Sequence, residues 1–88
     1  MSDLRIHHVS FSGESMTVAF SDERSVTVSL SYFPRLLAAQ PAEREQWQII
    51  GRGLGVHWEI LDEDLSVENI LSAYSRGRAG EYAHASRP

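Results

Sequence analysis

Two short runs of alternating residues set the strongest limit on what this chain can become. Met16, Val18 and Phe20 alternate with Thr17 and Ala19, and Val26, Val28 and Leu30 alternate with Ser25, Thr27 and Ser29. A period of two puts every large apolar side chain on one face of an extended segment. The polar Ser21-Asp22-Glu23-Arg24 stretch between the runs is a turn signal, so the pair is predicted to be an antiparallel hairpin. Upstream, Leu4–Ser12 carries Ile6, Val9 and Phe11 with imperfect alternation, and Gly13-Glu14 turns it into the first run. The result is a three-stranded meander with an apolar face that the rest of the chain must cover.

The covering elements follow in order. Ser31 is placed to cap a short helix from Tyr32, with Pro34 in its first turn and Leu36 and Leu37 as anchors. Gln40-Pro41 ends it and opens a second helical turn through Ala42-Glu43-Arg44-Glu45. Trp47 to Ile50 is apolar again. Gly51-Arg52-Gly53-Leu54-Gly55 then leads into Val56-His57-Trp58-Glu59-Ile60, which reads as a hairpin or as a strand with an irregular return. Ser66 is a helix cap, and Leu65, Ile70, Leu71 and Tyr74 give the final helix its packing face. The fold class is α+β: an N-terminal three-stranded antiparallel meander, two short helices, a Gly-rich hairpin or return, and a C-terminal helix. Residues 1–74 form a single small α+β domain, and residues 75–88 are expected to be a polar, flexible tail.

Composition narrows the function. Cysteine is absent, which excludes disulfides, thiolate metal sites and a cysteine nucleophile. No run approaches the roughly 18 apolar residues of a membrane span. The N-terminus lacks the basic start and apolar stretch of a signal peptide. A soluble, cytoplasmic protein is expected. The formal net charge is −4. Residues 41–74 hold two Arg against seven acids, whereas residues 75–88 hold three Arg against one acid. An acidic domain is a poor electrostatic match for nucleic acid, although the Arg-bearing tail leaves an opening.

Several blocks stand in a familiar order. They are Tyr32-Phe33-Pro34-Arg35-Leu36, Glu43-Arg44, Trp47, Ile50-Gly51, Gly53, Gly55-Val56-His57-Trp58, and Leu61-Asp62-Glu63-Asp64-Leu65-Ser66-Val67. The chain resembles the bacterial family known as domain of unknown function 2442, over roughly residues 4 to 73. Glu59 stands where the family usually has Pro, and Asp22-Glu23 stands where it often has Asp-Gly. The resemblance implies a compact α+β fold and a small partner in two-gene, toxin–antitoxin-like arrangements. It implies no catalytic residue. Some relatives carry a C-terminal helix-turn-helix extension, for which 88 residues leave no room.

Three clusters invite a chemical role, and each has a plainer structural one. His57 is a potential general base or metal ligand near Asp62 and Asp64, but it lacks companion ligands at zinc spacing. Asp62-Glu63-Asp64 offers oxygen ligands without the calcium-loop spacing, and it suits a turn in which Asp64 or Ser66 caps the helix. The Gly51, Gly53 and Gly55 series is followed by a strand rather than a helix, which disfavours phosphate binding and leaves Arg52 exposed at a tip. Trp47 and Trp58 are assigned to the core. Arg35 and Arg44 are expected to pair with the acid cluster. His7 and His8 are expected on opposite faces of a strand, so they form no chelate.

These readings favour a non-enzymatic protein-interaction module, the antitoxin-like or regulatory member of a protein pair, with no cofactor or metal. Arg52, His57, Asp62, Glu63 and Asp64 form its expected interaction surface, and a protein with a basic surface is the expected partner. Homodimerisation suits the open strand edges. A small dimeric nucleic-acid-binding transcriptional regulator is the alternative, and an enzyme or metal-binding protein ranks third.

The assigned register carries a direct test. Val18→Asp or Val28→Asp is expected to abolish folding, because an unpaired buried charge costs several kcal/mol, roughly the stability of a small domain. A cooperative melt near the wild-type temperature in either variant would show the register to be wrong.

Overall fold

The computed structural model describes residues 4–85, with side chains through Gly77. Strands β1 (Ile6–Ser12), β2 (Ser15–Phe20) and β3 (Ser25–Ser29) form the predicted antiparallel meander in the order β1-β2-β3. Cross-strand pairs Met16↔Val28 and Val18↔Val26 put the alternating apolar residues on one face. Met16, Val18, Phe20, Val28 and Leu30 are buried, and Val26 is half-buried at the margin. On the other face the hydroxyls of Thr17 and Thr27 meet across the strands at 2.8 Å. The imperfect alternation of the first strand is a bulge: the ladder with β2 shifts between Ile6 and His8. His7 and His8 are both exposed there, and His8 packs edge-on against Trp47 with ring centroids 5.2 Å apart.

Helices α1 (Pro34–Ala38) and α2 (Pro41–Arg44) follow, each with Pro in its first turn. The cap predicted at Ser31 is one element early. Ser29 instead accepts the Ser31 N–H at 3.1 Å and caps a single 3-10 turn, Leu30–Tyr32, that buries Leu30. Glu43 accepts the Gln40 N–H at 2.8 Å and so holds the start of α2.

The Gly-rich segment is a hairpin within a second sheet. Strand β4 (Trp47–Ile50) pairs with β5 (Gly55–Trp58), and β5 pairs with β6 (Glu63–Ser66), all antiparallel. Strand β6 corrects the expectation of a turn at Asp62-Glu63-Asp64. Only Asp62 turns, with φ of +54°, and Asp64 lies in the ladder opposite His57. Ser66 does cap the last helix. Its Oγ accepts the Asn69 N–H at 3.0 Å while Asn69 Oδ1 accepts the Ser66 N–H at 2.9 Å. Helix α3 runs Val67–Ala85, so the backbone of residues 75–85, read from sequence as tail, is helical. Ser86 to Pro88 lie outside the described residues. Ile70 and Ala73 bury the inner face of α3 against the sheets.

Arg44 departs most from expectation. Its partners are carbonyls, not the acid cluster. Nε donates to Leu36 O at 2.8 Å, Nη2 to Leu37 O at 2.9 Å and Nη1 to Gly13 O at 3.2 Å. The residue is 9% exposed, and its own carbonyl accepts the indole N–H of fully buried Trp58 at 2.9 Å. Met at this position would remove the donor to the part-buried Leu37 and Gly13 carbonyls and leave Leu36 O with the Ala39 N–H alone, so Arg44→Met is expected to lose about 2 kcal/mol. Arg44→Lys should recover less than half of that, because an ammonium lacks the planar fork. Urea unfolding followed by Trp fluorescence reads both values. Equal stability of Lys and Arg would show that charge, not geometry, is what matters.

Candidate functional site

The second sheet arranges the expected site residues. Trp58 and Val56 are fully buried and Leu65 is nearly so. Alternation along the strands therefore turns Gln48, His57 and Asp64 to the opposite, outer face, where they are cross-strand neighbours. His57 is half-buried, and both of its ring nitrogens meet carboxylates: Nδ1 meets Asp64 Oδ1, and Nε2 meets Glu59 Oε1 at 2.8 Å. The hydrogen bond to Glu59 first, and that to Asp64 second, raise the His57 pKa above the usual imidazole value. A charged ring donates both N–H groups here. It then has no lone pair to offer a metal or a substrate proton. Among the described residues no group of three His, Asp or Glu side chains is placed to hold a metal ion.

Arg52 and Asp62 stand at opposite ends of β5, while Asp64 lines a shallow cavity with Gly51 and Leu54. Arg52 lies in the β4–β5 turn and Asp62 in the β5–β6 turn, separated by the length of β5. Both adopt left-handed backbone, with φ of +58° and +54°. Gly53 (φ +94°) sets the first turn, since a Cβ there would stand 2.8 Å from Arg5 Cβ. Gly55 lets Ile50 cross over it, with the Ile50 side chain 3.3 Å from where a Cβ would be. Gly51 takes a positive φ of +58°. In the second turn, Arg35 Nη1 donates to Asp62 O at 2.5 Å and stands 3.9 Å from its carboxylate, the one predicted Arg–acid pairing that forms. Trp47 is half-buried and Trp58 fully buried.

Exposed apolar residues are what the sequence reading missed. Ile60 is 55% exposed in the β5–β6 turn and Leu54 is 53% exposed in the β4–β5 turn. A groove of about 450 Å³ runs beside Leu54, between Leu4, Val67 and Leu71, with Glu68 at its border. For Leu54 the available signal was its place alone between Gly53 and Gly55; Ile60 gave none, because it continues the alternation of Val56 and Trp58 and adjoins Leu61.

The His57 cluster predicts a pH dependence. A folded-state pKa above the unfolded one stabilises the fold most where the ring is charged in both states. The contribution is complete below about pH 6.5, the ordinary His value, and is lost as pH rises through the raised one. Melting temperature should fall across that window, and His57→Gln should remove this component. An NMR titration placing His57 at or below the ordinary value would overturn the arrangement.

Comparison with known proteins agrees with the fold. A crystal structure of a protein of unknown function from Rhodospirillum rubrum superposes with a TM-score of 0.70 at 22% identity, over 81% of this chain and 88% of that one. The solution NMR structure of an uncharacterized protein from Chromobacterium violaceum superposes with a TM-score of 0.67 at 20% identity, over 88% of this chain and 75% of that one. No curated protein matches. The model of the family described as proteins of unknown function, DUF2442, matches residues 6–75, and the chain belongs to that family.

Proposed function

We propose that this chain is a non-enzymatic protein-interaction module, the regulatory or antitoxin-like member of a protein pair, that binds through its β5–β6 turn. The observation carrying this reading is Ile60. It is a large apolar side chain, 55% exposed, in a turn that also holds Glu59 and Asp62, whose side chains are 86% and 96% exposed. An apolar anchor ringed by polar groups is the usual composition of a binding hot spot, where the ring excludes water from the anchor. Glu63 and Asp64 extend the negative border along β6. The matching surface on the partner is an apolar socket rimmed by Lys or Arg, which the acids would steer toward the turn.

The turn is held in shape before any partner arrives. Arg35 clamps the Asp62 carbonyl from α1, and His57 grips Glu59 from β5 and Asp64 from β6. Ordering costs at binding are correspondingly small. The acidic border also argues against a polyphosphate ligand at this end of the molecule.

The test is capture of partners from the native host with wild type, Ile60→Ser and Glu63→Lys. Ile60 is exposed, so Ile60→Ser should change stability by less than about 0.5 kcal/mol, while circular dichroism checks that Glu63→Lys, at a half-buried strand position, is folded. Both variants are expected to lose the partner, Glu63→Lys the more so at low salt because the Debye length is then longer. Retention of the same partners by both variants at equal salt would reject the turn as the interface.

A further inference from the structure

We propose that the chain forms a two-fold symmetric dimer through the apolar strip centred on Leu54, with Arg52 of each copy facing Glu68 of the other. The strip is a built feature rather than a loose loop. Leu54 N donates to Gly51 O at 3.1 Å, and Leu54 O accepts the Val67 N–H at 3.0 Å, so its backbone is fully engaged while its side chain is 53% exposed. Gly53 is buried against Arg5 and Ile6, which fixes the turn from below. Ile50, 40% exposed, continues the strip on one side of Leu54, and the groove toward Val67 and Leu71 continues it on the other. Solvated apolar surface of this kind is a liability unless something covers it.

The charges indicate what covers it. Arg52 and Glu68 are both exposed, lie on the two elements that border the strip, and have no polar side-chain partner among the described residues. A strip edged by one free cation and one free anion is complementary to a surface with the same pattern reversed. A second copy turned by a two-fold axis presents that pattern, so each Arg52 meets a Glu68 and the leucines meet at the centre. A uniformly basic partner would match Glu68 and repel Arg52. The Ile60 turn lies at the far end of β5 and stays open in this arrangement, so the dimer stands or falls independently of the partner-binding reading.

Sedimentation equilibrium on the full chain tests the proposal, with far-UV circular dichroism confirming that each variant is folded. Wild type is expected to dimerise, and Leu54→Asp to be monomeric. Arg52→Glu and Glu68→Arg alone should each raise the dimer Kd at least about tenfold, a modest charge-pair effect, while Arg52→Glu/Glu68→Arg together should return it to within about threefold. Because Arg and Glu bear the left-handed backbone at position 52 equally, the swap isolates charge from fold. A monomeric wild type at about 1 mM, a Leu54→Asp variant that still dimerises, or a double variant no better than the singles would each overturn the interface.

Discussion

The buried guanidinium of Arg44 is the contact on which the small helices and the second sheet both depend. α1 has five residues, too few to be stable alone, and its own end supplies only the Ala39 N–H, 3.2 Å from Leu36 O. Arg44 adds a shorter bond to Leu36 O, donates to Leu37 O and reaches Gly13 in the β1–β2 turn with the same planar group. A positive charge at the C-terminal end of a helix also suits the helix dipole. Burying a charge is expensive in general, and what offsets it here is three carbonyls in fork geometry. Through its main-chain oxygen the same residue holds the Trp58 indole, so one side chain and one carbonyl tie the first hairpin, both short helices and β5 together.

Once Trp58 is fixed inward, the outer face of the second sheet follows. Alternation places His57 outward and opposite Asp64, and a one-residue slip of β6 would bury that acid instead of Leu65. The strand is only four residues long, so its two turns are close enough to be rigid and far enough apart to present different surfaces. Each turn uses a left-handed residue that is not glycine, Arg52 in one and Asp62 in the other. Such residues persist where the surroundings hold them: Gly53 against β1 in the first case, and Arg35 on the Asp62 carbonyl in the second.

The meander was legible from sequence because period two, polar turns and a clean split of Val and Leu from Ser and Thr all agree. The hairpin around Gly51–Gly55 and the Ser66 cap were legible for similar local reasons. Strand β6 was not. Glu63-Asp64-Leu65-Ser66 contains one apolar residue, and what makes it a strand is the ladder to β5 and the His57–Asp64 contact, which are tertiary. Arg44 was misplaced because an arginine on a short helix suggests pairing with the Asp62-Glu63-Asp64 cluster, while backbone carbonyls as partners leave no trace in the sequence. The surface expected to unite Arg52 with Asp62 and Glu63 was divided for a topological reason: β5 lies between them.

The acids of residues 41–74 also divide once their neighbours are known. Glu43 holds the start of α2, Glu59 and Asp64 hold His57, and Asp62 faces Arg35. Much of the apparent excess of negative charge is therefore spent on local structure. With its ring charged, the His57 cluster carries one net negative charge, and loss of the proton makes it two. A more negative turn attracts a basic partner more strongly, but the same proton holds Glu59 and Asp64 in place. Exposed charges contribute little individually, whereas every residue ordered at binding carries a larger entropic cost. For the basic partner proposed above, preorganisation then outweighs attraction, and the protonated turn is the form expected to bind.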